Sequence, residues 1–514
     1  MGKRIVIVGG GTAGWLTAAY LARTLAPAGW RVTLVESADI PIIGVGEGTF
    51  PTIRDTLAAI GADERRFLAM SDGSFKQGVR FVGWTGGPTP GSAADDYFHP
   101  FNLPYGGDEP GLLPYWLKAE GEAKRPAYAD AVTAQGHVIR ADRAPKRAAD
   151  PAFGGPMNYA YHFDAGRFAA FLREVATGNG VERIEATIVA AERDAKGNIA
   201  AITRDDGGEA IAGDFFVDCS GFRALLIGET LGARFAGCDA TLFNDRALAI
   251  QVPHGAADAP IRPYTLATAH DAGWTWDIGL SGRRGIGYVY SSRHCDDEAA
   301  ERTLRAYVGK AGDQLSVRQL RFATGYRATQ WIGNCAAVGL SAGFFEPLES
   351  TGIMLIEVAA RMLGDFLAAP EIDPGAMASA ARSFNRSMSA RFAAIVEFLK
   401  LHYCISGRRD TAYWRENTDP ASWPEGLRDK LAQWRHRPPS RFDFVVDHET
   451  FLPASWRFIL YGMGFRTDPA ALAAAFHDDA GASAAFIRVR HAATQAVAEL
   501  PTHRALLDQL KLAA

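Results

Sequence analysis

The chain has 514 residues, of which 48% are hydrophobic and 22% charged, and a formal net charge of −4, a composition that excludes disordered and fibrous classes. Charges of both signs are spread along it, which leaves no basic patch for nucleic acid or an anionic membrane, and no apolar run reaches the roughly eighteen residues that a membrane span needs. Five scattered cysteines (Cys219, Cys238, Cys295, Cys335, Cys404) form no CxxC pair, and Met1 to Arg4 lead directly into an apolar strand; neither a zinc site, a disulfide framework nor a signal peptide is suggested, and a reducing cytoplasmic setting is expected.

The length implies two or three domains or one elaborated enzyme fold. Ile5 to Val8 form a β-branched run that breaks into Gly9-Gly10-Gly11-Thr12-Ala13-Gly14. Helical spacing follows from Trp15 to Thr24, and a second strand, Trp30 to Glu36, ends in an acid. This is a GxGxxG turn at Gly9, Gly11 and Gly14 in its proper strand-turn-helix-strand context. Such glycines let backbone amides approach a pyrophosphate at a helix start, and the acid suits a ribose hydroxyl. FAD and NAD both satisfy this motif.

Gly44 to Pro51 make a second glycine-rich loop, which reads either as a surface loop or as one lying against an extended cofactor. Ser74 to Trp84 alternate as a strand with Lys76 at its head, and a lone lysine there reads as a solvated charge. Residues 86–156 read as loops with short helices. An amphipathic helix is predicted from Phe163 to Val175, a hairpin from Ile184–Val189 with Ile199–Arg204, and a strand from Asp214 to Asp218. Residues 243–292 alternate as a sheet. There Trp274 and Trp276 share one side of a strand and make either a bulky wall or a pair of core aromatics.

Downstream, Gly333 to Gly343 form a strand that enters a small-residue loop, followed by Phe344 to Ile353. A second glycine-rich return of this kind resembles FAD proteins of the aromatic-hydroxylase architecture, and amides at the following helix start could hold an anion. Gly339-Leu340-Ser341-Ala342-Gly343 is also a formal hydrolase elbow, with Asp365 and His402 downstream, but that reading leaves the first glycine motif unexplained. From Ile353 onward the chain is mainly helical and Ala-rich, broken near 419–425 and 437–439.

Together these segments resemble the flavin-dependent tryptophan halogenases. The resemblance runs in order through GGGTAGW, GVGEGTFP, SFKQGVRFVGW, YFHPF, YHFDAGRFAAFLRE, DFFVDCSGFRALL, WTWDIG, GNCAAVGLSAGFFEPLESTGI and LHYCISGRRDTAYW. It implies an α/β fold: an FAD-binding, Rossmann-like module of the aromatic-hydroxylase type over 1–365, with substrate segments interleaved at about 86–156 and 227–320. A mainly helical region over 366–514 is expected to contribute to the substrate site.

The implied enzyme is an FADH2-dependent halogenase that uses O2 and chloride or bromide to form hypohalous acid. The acid passes through an internal passage to Lys76 and halogenates an electron-rich, indole-like ring, with Glu349 stabilising or deprotonating the ring cation. Implied FAD contacts are Gly9, Gly11, Thr12, Ala13, Gly14, Glu36, Val45, Gly46, Leu340 and Ile353, with Ile188 on the adenine side. Thr351 and Gly352 would hold the halide, while His99, Phe101 and Trp456 would hold the substrate. Trp274 and Trp276 would keep that substrate from the flavin. No metal is implied. The expected partners are a separate flavin reductase and a small aromatic substrate, and the assembly is left open, with a homodimer as one alternative. A flavin-dependent aromatic monooxygenase (hydroxylase) is the alternative. Two departures matter. The family's WxWxIP reads WxWxIG here, with Gly279 loosening the backbone, and the tyrosine pair that grips free tryptophan is not evident, so indole-like substrates are expected ahead of tryptophan.

Overall fold

The structure is a computed structural model that describes residues 3–40, 46–86, 95–107, 111–118, 125–369, 373–445, 450–468 and 478–512. The chain divides into two compact units. The first comprises Met1–Gly73, Phe163–Cys238 and Ala323–Phe392, and the second comprises Ser74–His162, Asp239–Phe322 and Ala393–Ala514.

In the first unit, a six-stranded sheet has the order Trp331–Ile332, Cys335–Ala337, Phe215–Asp218, Lys3–Val8, Trp30–Glu36, Glu182–Glu185. All pairings are parallel except the outermost, between the first two of these strands. Strand alternation sorts the core. Val6, Val8, Val35 and Phe216 face a layer that includes Ile188, Ile199, Ile202 and Ile211 from a small antiparallel sheet. Leu34 points to the other face, towards the helix Thr12–Leu25, which packs against Ala165–Gly178 and Thr351–Phe366. Strand order reverses between Lys3–Val8 and Phe215–Asp218, and the carboxyl ends of strands at such a reversal are where doubly wound folds bind ligands.

Two sequence readings shift. The edge strand ends at Glu185, and a separate strand, Ile188–Arg193, forms the hairpin with Ile199–Arg204. The helix expected from Phe163 begins at Ala165, because the Asp164 side chain caps it by accepting the Arg167 N–H at 3.0 Å.

In the second unit, a seven-stranded sheet has the order Val317–Arg321, Arg246–Pro253, Arg283–Tyr290, Gly273–Gly279, Thr265–His270, Gly78–Val82, Asp96–Pro100. Only Thr265–His270 with Gly78–Val82 is parallel. The helix Asp297–Val308 covers one face through Ala300 and Leu304, packed on Leu248, Ile250, Ile286 and Tyr288. The opposite face carries Trp274, whose ring lies 6.3 Å from that of Trp84. Trp84 in turn packs on Tyr403 and Trp414 at 5.2 and 5.7 Å.

The first turn of the opening helix tolerates no Cβ at Gly14, where one would lie 1.8 Å from the Gly9 carbonyl oxygen. Backbone cannot yield as a flexible side chain does, so Gly14→Ala is expected to lose about 1–3 kcal/mol of stability. A thermal melt of the variant against the parent checks this.

Candidate active site

At the carboxyl end of the central strand, the turn Gly9–Gly14 is shaped by contacts that only glycine allows. Gly9 has a φ of +116°, and a Cβ there would meet the Cys219 carbonyl. A Cβ on Gly10 would strike the Glu36 carboxylate, whereas one on Gly11 would meet nothing within 4 Å. Gly11 therefore borders open space. It is also the N-cap of the helix Thr12–Leu25, and no side chain caps that end, so the first amides, including Thr12 and Ala13, are available to an anionic group. Glu36 accepts from Trp15 Nε1 at 3.1 Å and from Arg183 Nε at 2.6 Å. A carboxylate has about four acceptor positions, so capacity for a hydroxyl remains.

The second glycine-rich loop returns to the same place. Gly339 (φ +77°) packs so closely on the first turn that a Cβ would lie 2.7 Å from Cβ of Ala13. Leu340 follows in the short turn Gly339–Ser341. The Ser341 hydroxyl donates to the carbonyls of Asp218 and Val338 and is buried, so the formal hydrolase serine serves the backbone rather than a substrate. Glu349, Thr351 and Ile353 are buried, and Gly352 is exposed. They surround the start of the helix Thr351–Phe366, whose N-cap, Ser350, has φ +57° and makes no side-chain cap. Gly46 is buried with φ +150°, Val45 lies outside the described residues, and Ile188 sits in the apolar layer beneath the sheet. Sequence reading missed Glu357, two turns into that helix. It is buried, and its Oε2 lies 2.7 Å from Thr56 Oγ1, which also accepts from Arg361 at 3.0 Å. Burial pushes its carboxyl up to about 8, against the hydrogen bond from Thr56.

In the second unit, Lys76 closes the strand Ser74–Lys76, which pairs antiparallel with Ala160–Phe163. The lysine is 0% exposed. Its Nζ stands 5.3 Å from the centre of the Phe101 ring, close enough for the cation to be drawn to the ring face. Buried His162 lies diagonally across the strand pair, its Nε2 2.8 Å from Thr265 Oγ1. Desolvation first, and then the proximity of Lys76 and His503, hold the His162 imidazole well below its ordinary value, so it is neutral. A polar web continues outward. Asn158 Nδ2 donates to the Phe101 carbonyl at 2.8 Å, and Gln135 Nε2 donates to the Asn158 carbonyl at 2.6 Å.

Trp274 and Trp276 do share one face of their strand, with ring centres 6.4 Å apart. Trp276 fits because Gly287 lies opposite it; a Cβ there would come within 2.1 Å of the indole. Between the tryptophans and Gly279, Asp277 points the other way and accepts from Arg262 at 2.8 Å, from Arg284, and from Tyr307 at 3.3 Å. The backbone loosening expected at Gly279 is not what the structure shows. Gly279 is paired with Arg284, its carbonyl accepts the Ser74 hydroxyl, and a Cβ would press on Ile261 at 2.8 Å.

His99 lies on the strand Asp96–Pro100, with its ring near those of Phe398, Phe458 and Phe451 at 6.0, 6.1 and 6.4 Å. Trp456 is fully buried in a neighbouring cluster, 5.0 Å from Phe398, 5.4 Å from Phe444 and 5.5 Å from Trp434. Phe451 and Phe458 escaped sequence reading because nothing in their spacing marks them as neighbours of His99.

The family model described as tryptophan halogenase matches residues 4–479. This chain belongs to that family. A crystal structure of a tryptophan halogenase from Shewanella frigidimarina is 39% identical, superposes with a TM-score of 0.92, and is matched over 99% of this chain and 98% of its own. The tryptophan 6-halogenase SttH of Streptomyces toxytricini is 35% identical over 97% of this chain and 96% of its own. BrvH, a flavin-dependent halogenase from Brevundimonas sp. BAL3, superposes with a TM-score of 0.85 at 35% identity, over 99% of both chains. The chain is thus a flavin-dependent halogenase with the Rossmann-like α/β fold of its family. Among its described residues, no helix is long and apolar enough to cross a membrane.

The raised carboxyl of Glu357 has a signed consequence for this halogenase. Between the ordinary value of 4.5 and about 8 the folded chain holds a proton that the unfolded chain has released, so Glu357 makes stability fall as pH rises through that window. Glu357→Gln removes this dependence. The variant is expected to melt a few degrees above the parent at about pH 9 and level with it near pH 4, as paired thermal melts will read.

Proposed function

We propose that this halogenase forms hypohalous acid from chloride or bromide, that Lys76 presents it to an electron-rich, indole-like ring, and that Glu349 stabilises the cationic ring and takes its proton. The observation that carries this reading is the complete burial of Lys76 beside the Phe101 ring. An ammonium group removed from water costs several kcal/mol, and such placement is rarely kept without a use. A buried cationic donor polarises the hypohalous acid, and a buried carboxylate stabilises positive charge that develops only as the ring is attacked.

The uncapped turn at Gly9, Gly11, Thr12, Ala13 and Gly14 fits the pyrophosphate of FAD, and Glu36 fits its ribose. Gly46, Leu340 and Ile353, with Val45 from the neighbouring loop, would flank the cofactor, and Ile188 would serve its adenine side. When bound, reduced FAD supplies the electrons with which O2 takes halide to the hypohalous level. The amides around Thr351 and Gly352 suit the halide, since the N-cap residue Ser350 makes no side-chain cap there. Trp274 and Trp276 keep the organic substrate from the cofactor, while His99 and Phe101, with Phe451 near His99 and Trp456 behind, offer the ring an aromatic wall. FADH2 comes from a separate reductase.

Lys76→Ala is expected to abolish halogenated product, by at least about a hundredfold, while reduced flavin is still oxidised. Mass spectrometry of product beside flavin absorbance reads both, and near-native product would remove Lys76 from the mechanism. A hydroxylated rather than halogenated product from the parent enzyme would favour the monooxygenase alternative.

The aromatic wall around His99 suggests a site that holds a ring more firmly than an amino-acid backbone. Indole is therefore expected to outcompete tryptophan at equal concentration, with halogen at the most electron-rich accessible carbon, because orientation has to override ring electronics before another carbon reacts. A competition assay with product positions assigned by NMR decides it. Preference for tryptophan with halogen on a benzo-ring carbon would overturn this expectation.

A further inference from the structure

The strand that carries Lys76 has an edge to satisfy. Ser74–Lys76 pairs on one side with Ala160–Phe163, in the register Ser74–His162, Phe75–Tyr161, Lys76–Ala160. The Phe75 N–H, immediately before Lys76, instead meets a side chain from 428 residues away, donating to His503 Nε2 at 3.0 Å. An amide can only donate, so Nε2 must be the unprotonated ring nitrogen. The proton then sits on Nδ1, which donates to the Ile261 carbonyl at 3.0 Å. One imidazole thus bridges two buried backbone groups of opposite kind, in a single tautomer. The ring stays neutral, since burial lowers its proton affinity to about 4.

His503 is itself held. Its own N–H donates to the Asp142 carbonyl at 2.8 Å, the Ala144 N–H donates to the Pro501 carbonyl at 2.9 Å, and Thr502 bridges antiparallel to Arg143. Arg504 Nε reaches the Ala259 carbonyl at 3.0 Å. The residue after Lys76 is tied to the same two segments. The Gln77 N–H donates to the Pro263 carbonyl at 2.7 Å, and Gln77 Nε2 donates to the Arg143 carbonyl at 2.8 Å. Lys76 therefore stands between two anchored peptide units, and the segment Pro501–Arg504 is the staple on one of them.

We infer that His503 is a positioning residue for Lys76: by accepting the Phe75 N–H while donating to Ile261, it fixes the backbone from which the lysine side chain projects. The inference rests on the proposed role of Lys76. It makes His503 affect how much halogen reaches substrate, and not how much flavin is oxidised. A displacement of about 1 Å in a reacting group can cost on the order of a hundredfold in rate, so a slack Lys76 would let hypohalous acid escape unused.

The test compares His503→Gln, His503→Asn and His503→Ala with the parent and with Lys76→Ala, each as the full chain with FADH2, O2, bromide and indole. The reading is halogenated product per flavin oxidised, together with kcat and KM for indole. A glutamine amide reaches the position of Nε2 and can accept from Phe75, whereas asparagine reaches only that of Nδ1. The expected result is a ratio retained to within about threefold in His503→Gln and reduced by about tenfold or more in His503→Asn and His503→Ala, with kcat falling and KM nearly unchanged. A merely structural histidine would lower active enzyme and leave the ratio at the parent value in all variants, and that result overturns the inference. If His503→Ala does not fold, the order of Gln over Asn decides. An undiminished ratio in Lys76→Ala would instead defeat the reading of Lys76 on which the inference rests.

Discussion

A buried ammonium group has to be fixed as well as surrounded, and much of the second unit follows from that need. Water would hold the Lys76 charge in any direction, whereas the interior holds it only where polar groups and ring faces have been arranged in advance. The Phe101 ring supplies one such face. Neutral His162 lies diagonally across the strand pair without adding a second full charge, and Asn158 and Gln135 tie down the segment that carries Phe101. Because the strand Ser74–Lys76 is only three residues long, its own ladder cannot locate the lysine, and hydrogen bonds from distant segments complete it.

The tryptophan wall obeys a related constraint on volume. Two indoles on one strand face need space on the next strand, and Gly287 provides it opposite Trp276. The intervening Asp277 projects to the other face, where Arg262, Arg284 and Tyr307 grip it. An aspartate buried between two guanidinium groups holds its strand against sliding, and a one-residue slip would exchange wall and ion pair. Gly279 ends the same strand and carries the acceptor for Ser74, which ties the wall to the lysine strand by a hydrogen bond rather than by chain continuity.

In the first unit the governing constraint is close backbone approach. The turn at Gly9–Gly14 and the loop at Gly339 meet through Ala13, with no room for another carbon. Two helix starts, at Thr12 and Thr351, whose N-cap residues make no side-chain cap, then present their first amides. Glu357 lies behind the second, neutral at ordinary pH because its burial outweighs the Thr56 hydrogen bond.

The amino-acid order alone determined the strand-turn-helix opening, the second glycine-rich loop and the common face of Trp274 and Trp276, because local periodicity and the steric freedom of glycine are properties of neighbouring residues. Long motifs such as SFKQGVRFVGW and FEPLESTGI marked the family by resemblance. Local pattern could not show that Lys76 is buried, since a lysine heading a strand has the same sequence whether it meets water or Phe101. Nor could it show that Gly279 is tied rather than loose, that Phe451 and Phe458 lie near His99, or that His503 completes a strand 428 residues earlier. Those facts belong to packing between segments far apart in the chain, where shape and hydrogen-bond satisfaction choose the neighbours and sequence spacing carries no record of the choice.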